Sequence, residues 1–134
     1  MDWKLEVVIV PVADVDRAKQ FYEEQVGFVV DHDTRIGDSV RVVQLTPPGS
    51  GCSIVIDSGL TDMRPGSLKG LQLVVADVDA ARAQLVERGV AVSPVQHYEG
   101  VTLVEGRGGD WNSFIFFSDP DGNSWAVQEQ PKPN

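Results

Sequence analysis

Short apolar stretches of strand length alternate with two helix-like stretches along the chain. Residues 5–11 and 68–74 are apolar and rich in branched side chains, and each is too short for a lone helix, which predicts a strand. Each is followed by the same five letters: Val12-Ala13-Asp14-Val15-Asp16 returns, 63 positions on, as Val75-Ala76-Asp77-Val78-Asp79. After the first copy, Ala18, Phe21, Tyr22 and Val26 keep helical spacing; after the second, Ala81, Leu85 and Val86 do. Asp14 or Asp16, and Asp77 or Asp79, are placed to accept from the free amide protons of a first helical turn. Gly27 and Gly89 stand where each helix should stop.

Three further strand-like segments follow each helix. They are residues 28–32, Val40–Thr46 and Ser53–Asp57 in the first half, and residues 90–95, Phe114–Ser118 and Ser124–Glu129 in the second. Turn-forming residues separate them, Pro47-Pro48-Gly49-Ser50-Gly51 and Asp119-Pro120-Asp121-Gly122-Asn123. The pattern predicts a β-α-β-β-β unit used twice, an α+β fold. Residues 1–57 form module one, 58–67 a Gly/Ser/Thr/Pro-rich linker and 68–134 module two of a single domain.

Composition narrows the picture. The 134 residues suffice for one domain with its own core. No apolar run approaches the roughly 20 residues that span a bilayer, and no basic-then-apolar leader is present. A cytoplasmic protein that engages no membrane is therefore expected. The single Cys52 excludes an internal disulfide and a cysteine-rich metal site. A net charge of −9 disfavours nucleic acid, which needs a basic face, and is compatible with a cationic small molecule.

The segments Val10-Pro11-Val12-Ala13-Asp14-Val15-Asp16-Arg17-Ala18-Lys19-Gln20-Phe21-Tyr22, Val26-Gly27-Phe28 and Phe117-Ser118-Asp119-Pro120-Asp121-Gly122-Asn123 resemble the vicinal oxygen chelate superfamily. That group includes glyoxalase I, extradiol dioxygenases and the fosfomycin- and bleomycin-resistance proteins. The resemblance implies paired βαβββ modules whose eight strands curl into an incomplete barrel, a cup that holds the ligand, and usually a homodimer. Metal-dependent members carry ligands at four cup positions. Carried onto this chain these fall on Val7, Val55, Gly70 and Ala126, none of which has a lone pair to donate. No metal and no cofactor are therefore expected, which argues against chemistry that needs a metal to activate oxygen.

Strand alternation places Asp57, Gln72 and Gln128 toward the cup, among apolar neighbours, and the third strand of module one adds either Gln44 or its neighbours. Neutral amides both donate and accept, which suits orientation of a mostly apolar ligand. Residues 97–113 read as the mouth of the cup. There Trp111, with Phe114 and Phe116 on the next strand, could stack a planar ligand, and His97 is the titratable candidate. Trp125 alternates to the helix side. No residue is assigned a catalytic role. The expected function is metal-independent binding of a small, largely apolar or cationic molecule, a sequestration similar to that of bleomycin-resistance proteins. The alternative is a glyoxalase-like enzyme, metal-free or metal-dependent: an isomerase, lyase or dioxygenase. A metal-free enzyme would need Asp57, His97, Glu99 or Glu129 as acid or base.

Overall fold

The structure is a computed structural model that describes residues 1–38, 40–57 and 59–133. Ser58, the first residue of the expected linker, and Asn134, the last of module two, lie outside the described residues. The chain forms two compact units: residues 1–68 with 119–123, and residues 69–118 with 124–134.

In the first unit, β1 (Val7–Pro11) leads into α1 (Val15–Gln20), whose last turn widens into a π-helical segment at Phe21–Val26. Asp14 is the cap: its Oδ1 accepts from the Arg17 amide at 3.1 Å. At the other end the Gly27 amide reaches back to the Tyr22 carbonyl at 3.0 Å, with Gly27 in the left-handed conformation at φ 94°. Three strands follow, β2 (Val29–Ile36), β3 (Val40–Thr46) and β4 (Ser53–Asp57), in the sheet order β1-β4-β3-β2. β1 and β4 run parallel and the other pairs antiparallel. Val10, Val43, Leu45, Ile54 and Ile56 are buried on one face of this sheet, and Ala18, Phe21, Tyr22 and Phe28 are buried with them.

The family-like turn is hydrogen-bonded into this unit. Asp119 Oδ1 accepts from the amides of Asp121, Gly122 and Asn123 at 2.9–3.0 Å. The Tyr22 hydroxyl donates to Asp119 Oδ2 at 2.8 Å. The fully buried Asn123 donates to the Pro11 carbonyl at 2.9 Å and accepts from the Leu68 amide at 3.1 Å. Arg17 donates to Asp121 Oδ1 at 3.0 Å. The motifs that carried the family resemblance are thus a structural knot.

In the second unit, β5 (Leu71–Val75) leads into α2 (Val78–Glu87), capped by Asp77, which accepts from the Ala80 amide at 3.0 Å. Then come β6 (Gln96–Glu99), β7 (Thr102–Glu105), β8 (Phe114–Ser118) and β9 (Ser124–Glu129), in the sheet order β5-β9-β8-β6-β7. Ile115, Phe117, Trp125 and Val127 are buried on one face. Phe117 and Trp125 stack with ring centroids 6.0 Å apart. Each such burial removes enough apolar area from water to stabilise the fold by about 2–3 kcal/mol.

The α+β class and its twice-used helix-and-strands unit are as expected. The strand inventory differs in the second unit. Residues 90–95 do not form a full strand: Val92 makes one bridge to Phe117, and Ser93 exchanges hydrogen bonds with Phe116. Pro94, which has no amide proton, ends the pairing there. The stretch expected to form the mouth of the cup contains the β6–β7 hairpin. Its two-residue turn, Gly100-Val101, has Gly100 at φ 65° in the first turn position, where a type II′ turn takes glycine. Nine strands therefore stand among the described residues, against the eight expected.

Candidate functional site

Period-two alternation gives the second sheet two unlike faces. Ile115, Phe117, Trp125 and Val127 point to the buried one. Gln72, Val74, Phe114, Phe116, Ala126 and Gln128 share the other, in two cross-strand rows. One row is Gln72–Ala126–Phe116 and the next is Val74–Gln128–Phe114. Along this face lies a hollow of about 670 Å³, lined by residues that include Gly70, Gln72, Tyr98, Phe116 and Ala126. That volume suits a small organic ligand. No carboxylate, imidazole or cation of the described residues lines it.

The aromatic side of the face is ordered by its own rings. Phe114 and Phe116 stack at 6.1 Å between centroids, and Tyr98 meets Phe114 edge-on at 5.4 Å. Tyr98 had no part in the sequence-based site. Its signal is the alternation of Gln96 and Tyr98, legible only once residues 96–99 are known to pair beside Phe114.

The polar side is a chain of amides. Gln72 Nε2 donates to Gln128 Oε1 at 2.8 Å, and Gln128 Nε2 donates to the Trp111 carbonyl at 2.7 Å. Trp111 is held with its backbone left-handed at φ 62°, unusual for so bulky a residue and costing on the order of 1–2 kcal/mol. The strap around it, residues 106–113, is tied down elsewhere. Asn112 bonds both backbone groups of Tyr98 at 2.8 Å, and the Gly108 amide donates to Ser113 Oγ at 3.1 Å. A side chain at position 108 would sit 2.3 Å from the Asn112 carbonyl, so only glycine fits there. Trp111 is 52% exposed.

The remaining sequence-predicted residues lie elsewhere. His97 Nδ1 meets the Gly106 carbonyl at 2.8 Å and Nε2 meets Glu99 at 2.9 Å. The Glu99 carboxylate, and next the Gly106 carbonyl, hold its pKa above the ordinary value. Gln44 and Asp57 belong to the first unit. Gln44 donates to Asp31 at 3.3 Å. Asp57 is buried, and both its carboxylate oxygens accept from the Leu60 amide, at 3.0 and 2.9 Å. Glu129 is occupied by Arg107 and by the Val78 amide, the latter at 2.9 Å.

Two of the four metal-ligand positions of the family, Gly70 and Ala126, fall on the hollow itself. A hydrogen and a methyl there, with Val7 and Val55 at the other two, make a donor set that does not fit a divalent ion. Asp77, Asp79 and Glu129 do converge, but Arg107 is ion-paired to the last two, donating to Asp79 at 2.6 Å.

Among solved structures, the chain is similar to TnmS3, an antibiotic binding protein from Streptomyces sp. CB03234, with 37% identity, 97% and 98% of the two chains covered and a TM-score of 0.78. It is also similar to a glyoxalase/bleomycin resistance protein from the same strain, with 39% identity, 93% and 99% covered and a TM-score of 0.74. A curated relative, the uncharacterised protein YetH of Bacillus subtilis (strain 168), is 27% identical over 129 residues, 94% of this chain and 98% of its own. A family model matches residues 4–127, and the chain belongs to the Glyoxalase/Bleomycin resistance protein/Dioxygenase superfamily.

Proposed function

We propose that this protein binds a small, largely apolar or cationic molecule without chemical change, and does so without a metal. The observation that carries the reading is the lining of the second unit's hollow: aromatic rings, small side chains, hydroxyls and the single amide of Gln72, with no carboxylate or imidazole among the described residues. The four acid or base candidates of the sequence, Asp57, His97, Glu99 and Glu129, are each engaged. Asp57 caps a backbone amide, His97 and Glu99 hold each other, and Glu129 holds Arg107. The antibiotic-binding relative, similar over nearly the whole chain, supports the same choice. The acidic balance of −9 favours encounter with cations at low ionic strength. The binder acts in the cytoplasm as a homodimer, with no nucleic-acid or membrane partner.

The test is a titration of apolar and cationic antibiotics, followed by tryptophan fluorescence, with the ligand recovered afterwards. Saturable quenching with unchanged ligand is the expected result; a converted ligand defeats it. Metal analysis of protein purified without chelator is expected to find no stoichiometric divalent ion. Light scattering reads the dimer.

A further inference from the structure

We infer that the hollow selects ligands carrying a hydrogen-bond donor, a hydroxyl or an N–H, which is delivered to Gln72 Oε1, and that Gln128 is the positioning residue that sets this polarity. The inference rests on the hollow being the ligand site.

Its starting point is a backbone carbonyl. The Trp111 oxygen can only accept, so the Gln128 amide must turn its nitrogen toward the strap. That commits Gln128 Oε1 to the other side, where Gln72 Nε2 donates to it. Flipping either amide would set oxygen against oxygen or nitrogen against nitrogen. The orientation of Gln72 is therefore dictated, through one intermediary, by a strap residue with a left-handed backbone. Gln72 lines the hollow and Gln128 does not. The end of the Gln72 amide left free of the sheet is its oxygen, to which no described residue donates.

The other polar side chains of the lining do not select in this way. Tyr98, Ser118 and Ser124 carry hydroxyls, which rotate and either donate or accept. Only the Gln72 amide has a locked sense. An apolar molecule that covers it without a donor leaves a desolvated acceptor unpaired, at a cost that outweighs the gain from one ordinary hydrogen bond. Phe116 and Ala126, its row neighbours, supply the flat apolar surface beside it. The ligand class is thus an aromatic or otherwise flat apolar body bearing a hydroxyl or N–H at its edge.

The probes are 2-naphthol and its ether, 2-methoxynaphthalene, titrated calorimetrically into the full chain at neutral pH. The wild type is expected to bind the naphthol about five- to tenfold more tightly, the effect of one satisfied acceptor. Gln72→Leu and Gln128→Leu should bring the ratio to near one, because the acceptor is removed in the first and released to flip in the second. Gln128→Glu keeps an oxygen for the Gln72 N–H while exchanging the strap bond for a repulsive contact with the Trp111 carbonyl, which turns the carboxylate toward Gln72, so the ratio should persist. A merely structural role for Gln128 would alter both affinities and leave their ratio alone. Equal wild-type affinities overturn the donor preference while leaving the hollow a binding site. Binding of neither probe overturns both. The wild-type pair decides even if a variant fails to fold.

Discussion

The two sheets carry the same pair of rows on the faces opposite their main apolar cores, filled in opposite ways. In the first unit the rows are Ile9–Val55–Gln44 and Pro11–Asp57–Val42. In the second they are Gln72–Ala126–Phe116 and Val74–Gln128–Phe114. An amide on the third strand of one unit answers to a phenyl ring in the other, and an aliphatic side chain on the first strand answers to an amide. The first unit turns its polar atoms inward on itself: Gln44 and Thr46 bond Asp31, Thr46 meets Ser53 at 2.6 Å, and Asp57 holds Leu60. The second leaves rings and an amide oxygen to the hollow. One repeat satisfies its polar groups within itself, and the other leaves an aromatic and amide face beside a hollow.

The largest test of that division is Asn123→Ala. Asn123 is fully buried and serves the Pro11 carbonyl, the Leu68 amide and Asp119. Truncation takes the acceptor from the Leu68 amide and one donor each from Asp119 and from the Pro11 carbonyl, which keeps the Gly66 amide, and should cost about 2–4 kcal/mol in urea unfolding. Probe affinity at the second unit's hollow should stay within twofold wherever the variant remains folded. Next in size, Phe116→Ala should weaken 2-naphthol binding more than tenfold by calorimetry, whereas Gln44→Ala, at the equivalent row position, should leave it unchanged; equal losses would erase the contrast between the faces.

The smallest effect concerns the hairpin that only the second unit has. The His97 pKa is raised, so the anchoring by Glu99 and Gly106 is fully present below the ordinary histidine value of 6.5 and is lost as pH rises through the higher folded value. An NMR titration of the His97 ring should show a midpoint above 6.5 that falls in Glu99→Gln. In the first unit the sign is reversed. The Arg41 guanidinium, aided by Lys19, holds Asp33 well below the usual carboxylate range, so that network weakens only in strong acid.

Where side chains repeat with the strand period, the sequence was a sufficient guide. Val40–Thr46, Ser53–Asp57, Phe114–Ser118 and Ser124–Glu129 are strands over the expected spans. The alternation that sends Trp125 inward was also legible, whereas the face of Phe114 and Phe116 was not. The hairpin was not, because Gln96–Glu99 is polar and follows a proline, so neither branched residues nor a tight apolar alternation marks it. The site was legible as an inventory of amides and rings, but not as a circuit. What orients Gln72 is a main-chain oxygen in a left-handed residue. Nothing in the letters Gly-Asp-Trp-Asn announces that conformation.

The turn Asp119–Asn123 is drawn from the far end of the chain yet completes the first unit. A peptide cut after Leu68 would lack Asp119, which accepts from the Tyr22 hydroxyl, and Asn123, one of the two donors to the Pro11 carbonyl and the acceptor for the Leu68 amide. The first unit thus borrows five residues from beyond β8 of the second sheet, and a chain ended before Asp119 is expected to lose part of its beginning along with its end.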